Sequence, residues 1–495
     1  MPPDHFPLRL GLLPFLKHAR HLPAQQPLRP VYVLGNPSAD LDSIISAIIY
    51  SYFSSSAADR TASRQEQQQQ PAPVARPHVP VVNLPDVPAG KELRRLRPEF
   101  ATALWLSTNG STQGAAAPDG KNDAVAQLLA EHVLTAADLR GQLLQHFPKD
   151  QGSKGLLDST LVDWNALPFR STETPSKGSI EGLQDIADLA VIGCIDHHVD
   201  ESFVHLDEAL PEGQPRIIQM GPGSCTSLVV RELRNRGLWL DQSHDSSPSS
   251  LIEEAKAAKL ALAAILIDTT NLTAEGKVTD VDRAAVAFLE AKVRAGDDPQ
   301  WDRTAFFEEI QYAKQNSLDL LTVDEMLGRD YKDWVEKSSK RTPGKSTTKI
   351  GICSVVKPIS WIVEKAQEED DTPKTGRNSS GAKSFLDKLR IFSQSRDLDV
   401  VAVMTAFTSS TDGSFHRELL VWALDEACAE LTKRFSKDFA SELGLEDWKE
   451  DPSGSASTVA AALNSDTPSL HIWHQTNVAK SRKQVAPLLR GVFAD

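Results

Sequence analysis

The stretch Gly35-Asn36-Pro37-Ser38-Ala39-Asp40-Leu41-Asp42-Ser43 carries two carboxylates at i and i+2. On a turn after a strand such a pair can converge on one metal pocket, and carboxylates are hard donors that suit Mg²⁺ or Mn²⁺. Taken alone, a helix N-cap at Asp42-Ser43 ahead of Ile44 is the better account. Asp196-His197-His198 follows the apolar run 189–195. Adjacent histidines point differently, so one can ligate a metal while the other faces a substrate. Asp163 (LVDWN) and Asp268 (LAAILIDTTNLT) each end an apolar run, and a charge there must be paired, hydrated or metal-bound. Termination of a helix or strand explains each singly, but four such termini together are hard to explain that way.

The C-terminal half offers cations. Residues 471–495 contain Lys480, Arg482, Lys483 and Arg490 against Asp495 alone, with the run Ser481-Arg482-Lys483-Gln484-Val485-Ala486-Pro487 at their centre. A solvated charge run is the plain reading; a phosphate clamp is the functional one, because the planar arginine fork makes paired hydrogen bonds to phosphate. His416, in SFHRELLVWA, is a further candidate, with a satisfied strand histidine an equal account.

The elements that must position these groups alternate. Residues 31–34 (VYVL), 160–162, 189–195 and 216–220 read as strands, with helical spacing over 44–53 and from about Thr226. Such alternation argues an α/β domain with a mostly parallel sheet, where ligands sit beyond the carboxyl ends of strands. Residues 349–356 and 399–405 read as strands of a second region, and 10–21 as an amphipathic helix. Segments 54–77, 109–122, 241–250, 337–348, 367–383 and 449–467 are polar and read as surface insertions, the first as a disordered loop.

The net charge of −14 argues against a general nucleic-acid binder. The longest apolar run, 260–267, is far below the roughly 20 residues of a spanning helix. Cys194, Cys225, Cys353 and Cys428 are too widely spaced for a C-x-x-C site and read as reduced thiols of an intracellular protein. A cytoplasmic location is expected, with mitochondrial import the minority reading of the basic N-terminal stretch.

Taken in order, Asn36, Asp40-x-Asp42, Asp163, Asp196-His197-His198 and Asp268, with the GPGSCTS turn at 221–227, resemble the DHH phosphoesterase superfamily. The resemblance is closest to the subgroup of family II inorganic pyrophosphatases, prune-like proteins and fungal exopolyphosphatases. It implies a metal-binding domain over 1–296, with a mostly parallel sheet flanked by helices. A smaller α/β domain with a mixed sheet would follow over 304–495, the active site lying in the cleft between them.

The resemblance also implies two divalent ions, Mg²⁺ or Mn²⁺. Asp40 and Asp163 would hold one, with Asn36 nearby; Asp42, Asp163, His197 and Asp268 would hold the second, Asp163 bridging. Asp196 would orient the site and His198 would face the substrate phosphate. Lys332, Arg482 and Lys483 look like phosphate ligands by the same resemblance, with His416 in the cleft.

The family pattern usually has a histidine where Asn36 stands, which argues against pyrophosphatase activity. An amide oxygen is a harder donor than imidazole, so preference should move towards Mg²⁺. The expected activity is release of terminal orthophosphate from inorganic polyphosphate by a monomer that needs neither nucleic acid nor membrane. The alternatives are a pyrophosphatase, a prune-like nucleotide phosphodiesterase, or a non-catalytic regulatory scaffold.

Overall fold

A computed structural model describes residues 10–22, 29–66, 76–109, 123–146, 154–205, 210–211, 214–241, 247–296, 298, 301–319, 321–337, 347–370, 381–409, 413–424, 426–448 and 469–494. The central parts of the polar segments (67–75, 110–122, 242–246, 338–346, 371–380 and 449–468) lie outside them. The chain divides into two compact units, Met1–Ser317 and Leu318–Asp495. Helix Arg303–Gln315 packs on helices of the first unit.

The first unit is built on β1 (Val31–Leu34), β2 (His78–Val81), β3 (Gly155–Val162), β4 (Phe169–Arg170), β5 (Lys177–Ser179), β6 (Ala187–Asp196) and β7 (Arg216–Ile218). Their order is β2-β1-β3-β6-β5-β4, with β7 also on β6. The ladders joining β2, β1, β3, β6 and β7 are parallel, while β5 and β4 run antiparallel at one edge. Strands buried on both faces read as continuous apolar runs, which is why VYVL is wholly buried.

Helices α1 (Leu12–Arg20), α2 (Leu41–Glu66), α3 (Lys91–Leu96), α4 (Pro98–Thr108), α5 (Asp123–His132), α6 (Ala136–His146), α7 (Cys225–Asn235), α8 (Pro248–Asp268), α9 (Asp280–Ala295) and α10 (Arg303–Gln315) complete this unit. One expectation changes: residues 54–66 continue α2 instead of opening a loop. Asp268, which the sequence leaves open to a helix or a strand end, ends a helix, α8. The apolar run 260–267 is the fully packed stretch of that helix. No described helix is long and apolar enough to cross a membrane, and all four cysteines are buried and free.

Register decides where the chemistry can sit. Leu34 of β1 lies opposite Leu161 of β3, Val162 opposite Ile195, and Asp196 of β6 opposite Ile218 of β7. The residues that follow β1, β3 and β6 therefore leave the sheet at one common edge.

The second unit has a mixed sheet of order β14-β15-β13-β10-β9-β8. Its strands are β8 (Tyr331–Lys337), β9 (Thr347–Val355), β10 (Val400–Thr405), β13 (Glu418–Ala423), β14 (Leu445–Asp447) and β15 (Leu470–Gln475), and β11 (Phe407–Thr408) with β12 (Phe415–His416) forms a separate hairpin. Only the β9–β10 ladder is parallel. Helices α11 (Val323–Arg329), α12 (Ile359–Asp370), α13 (Gly381–Gln394), α14 (Glu426–Leu443) and α15 (Arg482–Ala494) accompany it.

Candidate metal centre

Asp163 stands one residue past β3 with φ of +54°, a left-handed conformation uncommon for a residue with a side chain. Its N–H is held by the Ile195 carbonyl at 2.9 Å. One carboxylate oxygen, Oδ2, accepts from the Asn36 amide at 2.9 Å and the Ser43 hydroxyl at 2.6 Å. The other, Oδ1, lies 3.1 Å from His197 Nε2 and 3.6 Å from His198 Nδ1. Oδ1 is buried and has no hydrogen-bond partner. One ligand atom each from Asp163, His197 and His198 gather within 4.8 Å of one another.

The histidines are held from behind. His197 Nδ1 lies 2.9 Å from the Pro222 carbonyl, so it carries the proton and Nε2 is left to face Asp163. His198 Nδ1 lies 2.8 Å from Asp196 Oδ1, which also accepts the His197 N–H at 2.8 Å. Asp196 is fully buried, and its Oδ2 accepts from Asn165 at 2.5 Å. Burial alone would raise the Asp196 pKa, yet the His198 hydrogen bond and charge hold it below the usual carboxylate range.

The first-motif carboxylates divide their work. Asp40, not Asp42, caps α2, accepting the Ser43 N–H at 3.0 Å. Asp42 is buried and reaches the first turn of α7. Its Oδ1 accepts from Ser224 and Thr226 hydroxyls at 2.8 and 2.6 Å and from the Thr226 N–H at 2.9 Å; its Oδ2 accepts from the Cys225 N–H at 2.6 Å. A carboxylate suits that place because the helix N-terminus presents unpaired N–H groups and partial positive charge. Asn36 does not offer a free amide oxygen: its Oδ1 accepts from the Ser38 N–H and hydroxyl at 2.9 and 2.6 Å. The close approach of α2 demands glycine before it, since a Cβ on Gly35 would stand 2.5 Å from Ser43 Cβ.

The electrostatics are those of too much negative charge in too little water. Burial, then the charge of Asp40, raises the Asp163 pKa above the usual carboxylate range. Asp268 is raised well above it, by burial first and then by Asp42. Burial would lower the His197 pKa, but the Asp163 carboxylate 3.1 Å from its Nε2, joined by Asp42 and Asp268, raises it overall. An unpartnered buried carboxylate oxygen facing imidazole nitrogens, with further acids around it, is a donor set that fits a divalent cation.

Several contributors carried no sequence signal of their own. Asn165 lies inside the quoted LVDWN, and Ser224 and Thr226 inside GPGSCTS, but only the fold shows what they bond. Asp282, third residue of α9, takes the Gly223 N–H at 3.0 Å and so fixes the turn whose Pro222 carbonyl holds His197. Buried Arg97 donates to the carbonyls of Ser38 and Ala39, steadying the loop where Ala39 has φ of +44°.

In the second unit, β8 begins opposite Cys353 near the end of β9, and β13 begins beside the end of β10. Chain after β15 leaves at that same sheet end, because Gln475 pairs with Arg417. Lys332, His416, Arg482 and Lys483 consequently share one end. Arg482 donates to the Asp330 carbonyl at 2.8 Å and its carboxylate at 2.7 Å, two residues from Lys332. Lys332 and Lys483 are exposed. His416 stands apart on its hairpin, bonded to the Ser414 hydroxyl at 2.6 Å and stacked on Phe407.

A DHHA2 domain matches residues 308–492. The chain is 30% identical over 460 residues to a Schizosaccharomyces pombe protein described as "Putative exopolyphosphatase", covering 92% of this chain and 89% of that one. The chain belongs to the DHH phosphoesterase superfamily. Within it, this chain resembles the fungal exopolyphosphatase subgroup. Among solved structures, a Methanococcus jannaschii protein described as "putative family II inorganic pyrophosphatase" aligns over 94% of this chain and 99% of its own, at 16% identity and a TM-score of 0.44.

Proposed function

We propose that this protein is a metal-dependent exopolyphosphatase that releases terminal orthophosphate from inorganic polyphosphate. The observation that carries the reading is the unpartnered Asp163 Oδ1, buried and facing His197 and His198. Asn36 in the usual histidine place and the described activity of the S. pombe relative favour polyphosphate over pyrophosphate.

Asp163 and His197 would hold one divalent ion; Asp42, through Oδ2, and Asp268 are the donors left for a second, with Asp40 at the rim. A bound ion would supply Lewis-acid charge to the phosphoryl group and make water a better nucleophile. The protein's own groups do the rest. Pro222 and Asp196 fix the two imidazoles, the first being a usual role of a backbone carbonyl behind a metal-site histidine. His198, with Nδ1 committed to Asp196, presents Nε2 to a phosphate oxygen. Lys332, Arg482 and Lys483 would offset phosphate charge, with His416 beside them.

The test is phosphate release from pyrophosphate, tripolyphosphate and long-chain polyphosphate, side by side with Mg²⁺. Release from the two longer substrates in excess of pyrophosphate is expected. Cleavage of pyrophosphate alone would make the protein a pyrophosphatase, and no release from any of them would leave a scaffold.

A further inference from the structure

Arg417 follows the β11–β12 hairpin directly. Its Nε–H donates to the Val478 carbonyl at 2.7 Å, and its guanidinium lies 5.2 Å from the Phe415 ring centroid. Val478 sits in the turn between β15 and Arg482. Gln475 braces that turn from inside, donating to the Asn477 and Lys480 carbonyls at 2.9 and 2.5 Å. Arg417 is thus pinned one turn of chain from Arg482 and Lys483, at the sheet end that also carries Lys332.

Acids near it in sequence or space are otherwise engaged. Glu418 accepts from the Ile359 N–H, the Thr405 hydroxyl and the Trp448 indole, and Glu442 pairs with Lys480. Among the described residues no carboxylate comes within ion-pair distance of Arg417. A half-buried guanidinium without an anion bears an uncompensated desolvation cost. Burial accordingly pushes its pKa below the ordinary arginine value, with no acid opposing the shift.

We propose that Arg417 binds a phosphate group, so that this sheet end offers consecutive anion subsites at Arg417 and at Arg482–Lys483 that take a linear phosphate chain in preference to a single phosphate. The proposal rests on the function proposed above for its substrate class, but its test does not need turnover. The full chain, held in chelator, is titrated calorimetrically with tripolyphosphate and with orthophosphate. Arg417→Gln should weaken tripolyphosphate binding about tenfold, or about 1.4 kcal/mol, and orthophosphate binding less than threefold. Arg417→Lys should fall between wild type and Arg417→Gln.

Because the bond to Val478 also ties the turn, melting is followed with and without tripolyphosphate. A tether alone predicts a lower melting temperature with unchanged affinity and an unchanged ligand-induced rise, and that result overturns the proposal. If Arg417→Gln does not fold, Arg417→Lys decides: an unaltered ratio of tripolyphosphate to orthophosphate affinity overturns it. Weakened binding in a protein that releases no phosphate would keep the subsite and remove the hydrolase reading. Polyphosphate turnover with an unchanged KM in Arg417→Gln would do the reverse.

Discussion

The two units keep their charges in opposite ways. In the first, Asp42, Asp163 and Asp196 are nearly inaccessible to water and are held by amides, hydroxyls and imidazoles from four separate stretches of chain. In the second, Lys332 and Lys483 stand in solvent and Arg482 is tethered by a single aspartate. Buried charges act on one another strongly, since little water weakens the field between them. Exposed ones feel mainly what arrives from solution and are screened over about 8 Å at physiological salt. The first unit should therefore respond to protons and metal ions, and the second to ionic strength.

The largest expected effect breaks the buried side. Asp163→Ala should lower kcat for phosphate release about a thousandfold, about 4 kcal/mol of barrier; a loss under tenfold would remove Asp163 from the metal centre. Asp163→Asn, by contrast, should raise the melting temperature of chelator-treated protein, because burial and Asp40 disfavour the charge it deletes.

The next effect reads protons. His78, on β2, has its pKa lowered to about 4, by burial first and then by the Arg236 charge. The unfolded chain therefore binds the proton at higher pH than the folded one, and stability is lost as pH falls from about 6.5 to about 4. Over that window wild type should lose about 3 kcal/mol more than His78→Phe in urea unfolding. Parallel pH profiles would mean that the ring is hydrated.

On the exposed side, Arg482→Ala should raise KM for long-chain polyphosphate about tenfold, about 1.4 kcal/mol, and flatten its dependence on salt while metal affinity stays put. Equal salt slopes in variant and wild type would assign Arg482 to a solvated tail. The smallest effect is Asn36→His, expected to shift preference a few-fold towards Mn²⁺ or Co²⁺ because imidazole suits transition metals. Superimposable metal profiles would leave Asn36 as a donor to Asp163 alone.

The same contrast explains what the sequence could and could not disclose. Strands buried on both faces announce themselves, as VYVL and VVAVMT do, and so does the apolar run LAVIGCI. β3 was legible only over its last residues because Asp158 and Ser159 interrupt its apolar run. The two- and three-residue strands β4 and β5 carry too little pattern to be seen. Residue types at the candidate site are conspicuous in the sequence, since acids and histidines stand at the ends of apolar runs. Their hydrogen bonds are not. Nothing local says that Asp40 rather than Asp42 caps α2, because the partners that claim Asp42 lie 182 to 184 residues away. The sequence leaves Asp268 open for a related reason: an apolar run of that length suits a buried strand or a buried helix equally, and packing alone chose the helix.

The bond from Asp42 to the first turn of α7 has a consequence in time. The centre joins Asn36 to Asp163 across 127 residues and Asp42 to Thr226 across 184. Contacts of such long range form late and slow folding, because a large loop must close before they stabilise anything. During synthesis β1 and α2 leave the ribosome well before the helix that Asp42 caps exists. Until α7 arrives, the Asp42 carboxylate must stay hydrated, which holds the start of α2 away from a packed state. Assembly of the candidate metal centre is therefore a closing event in the folding of the first unit.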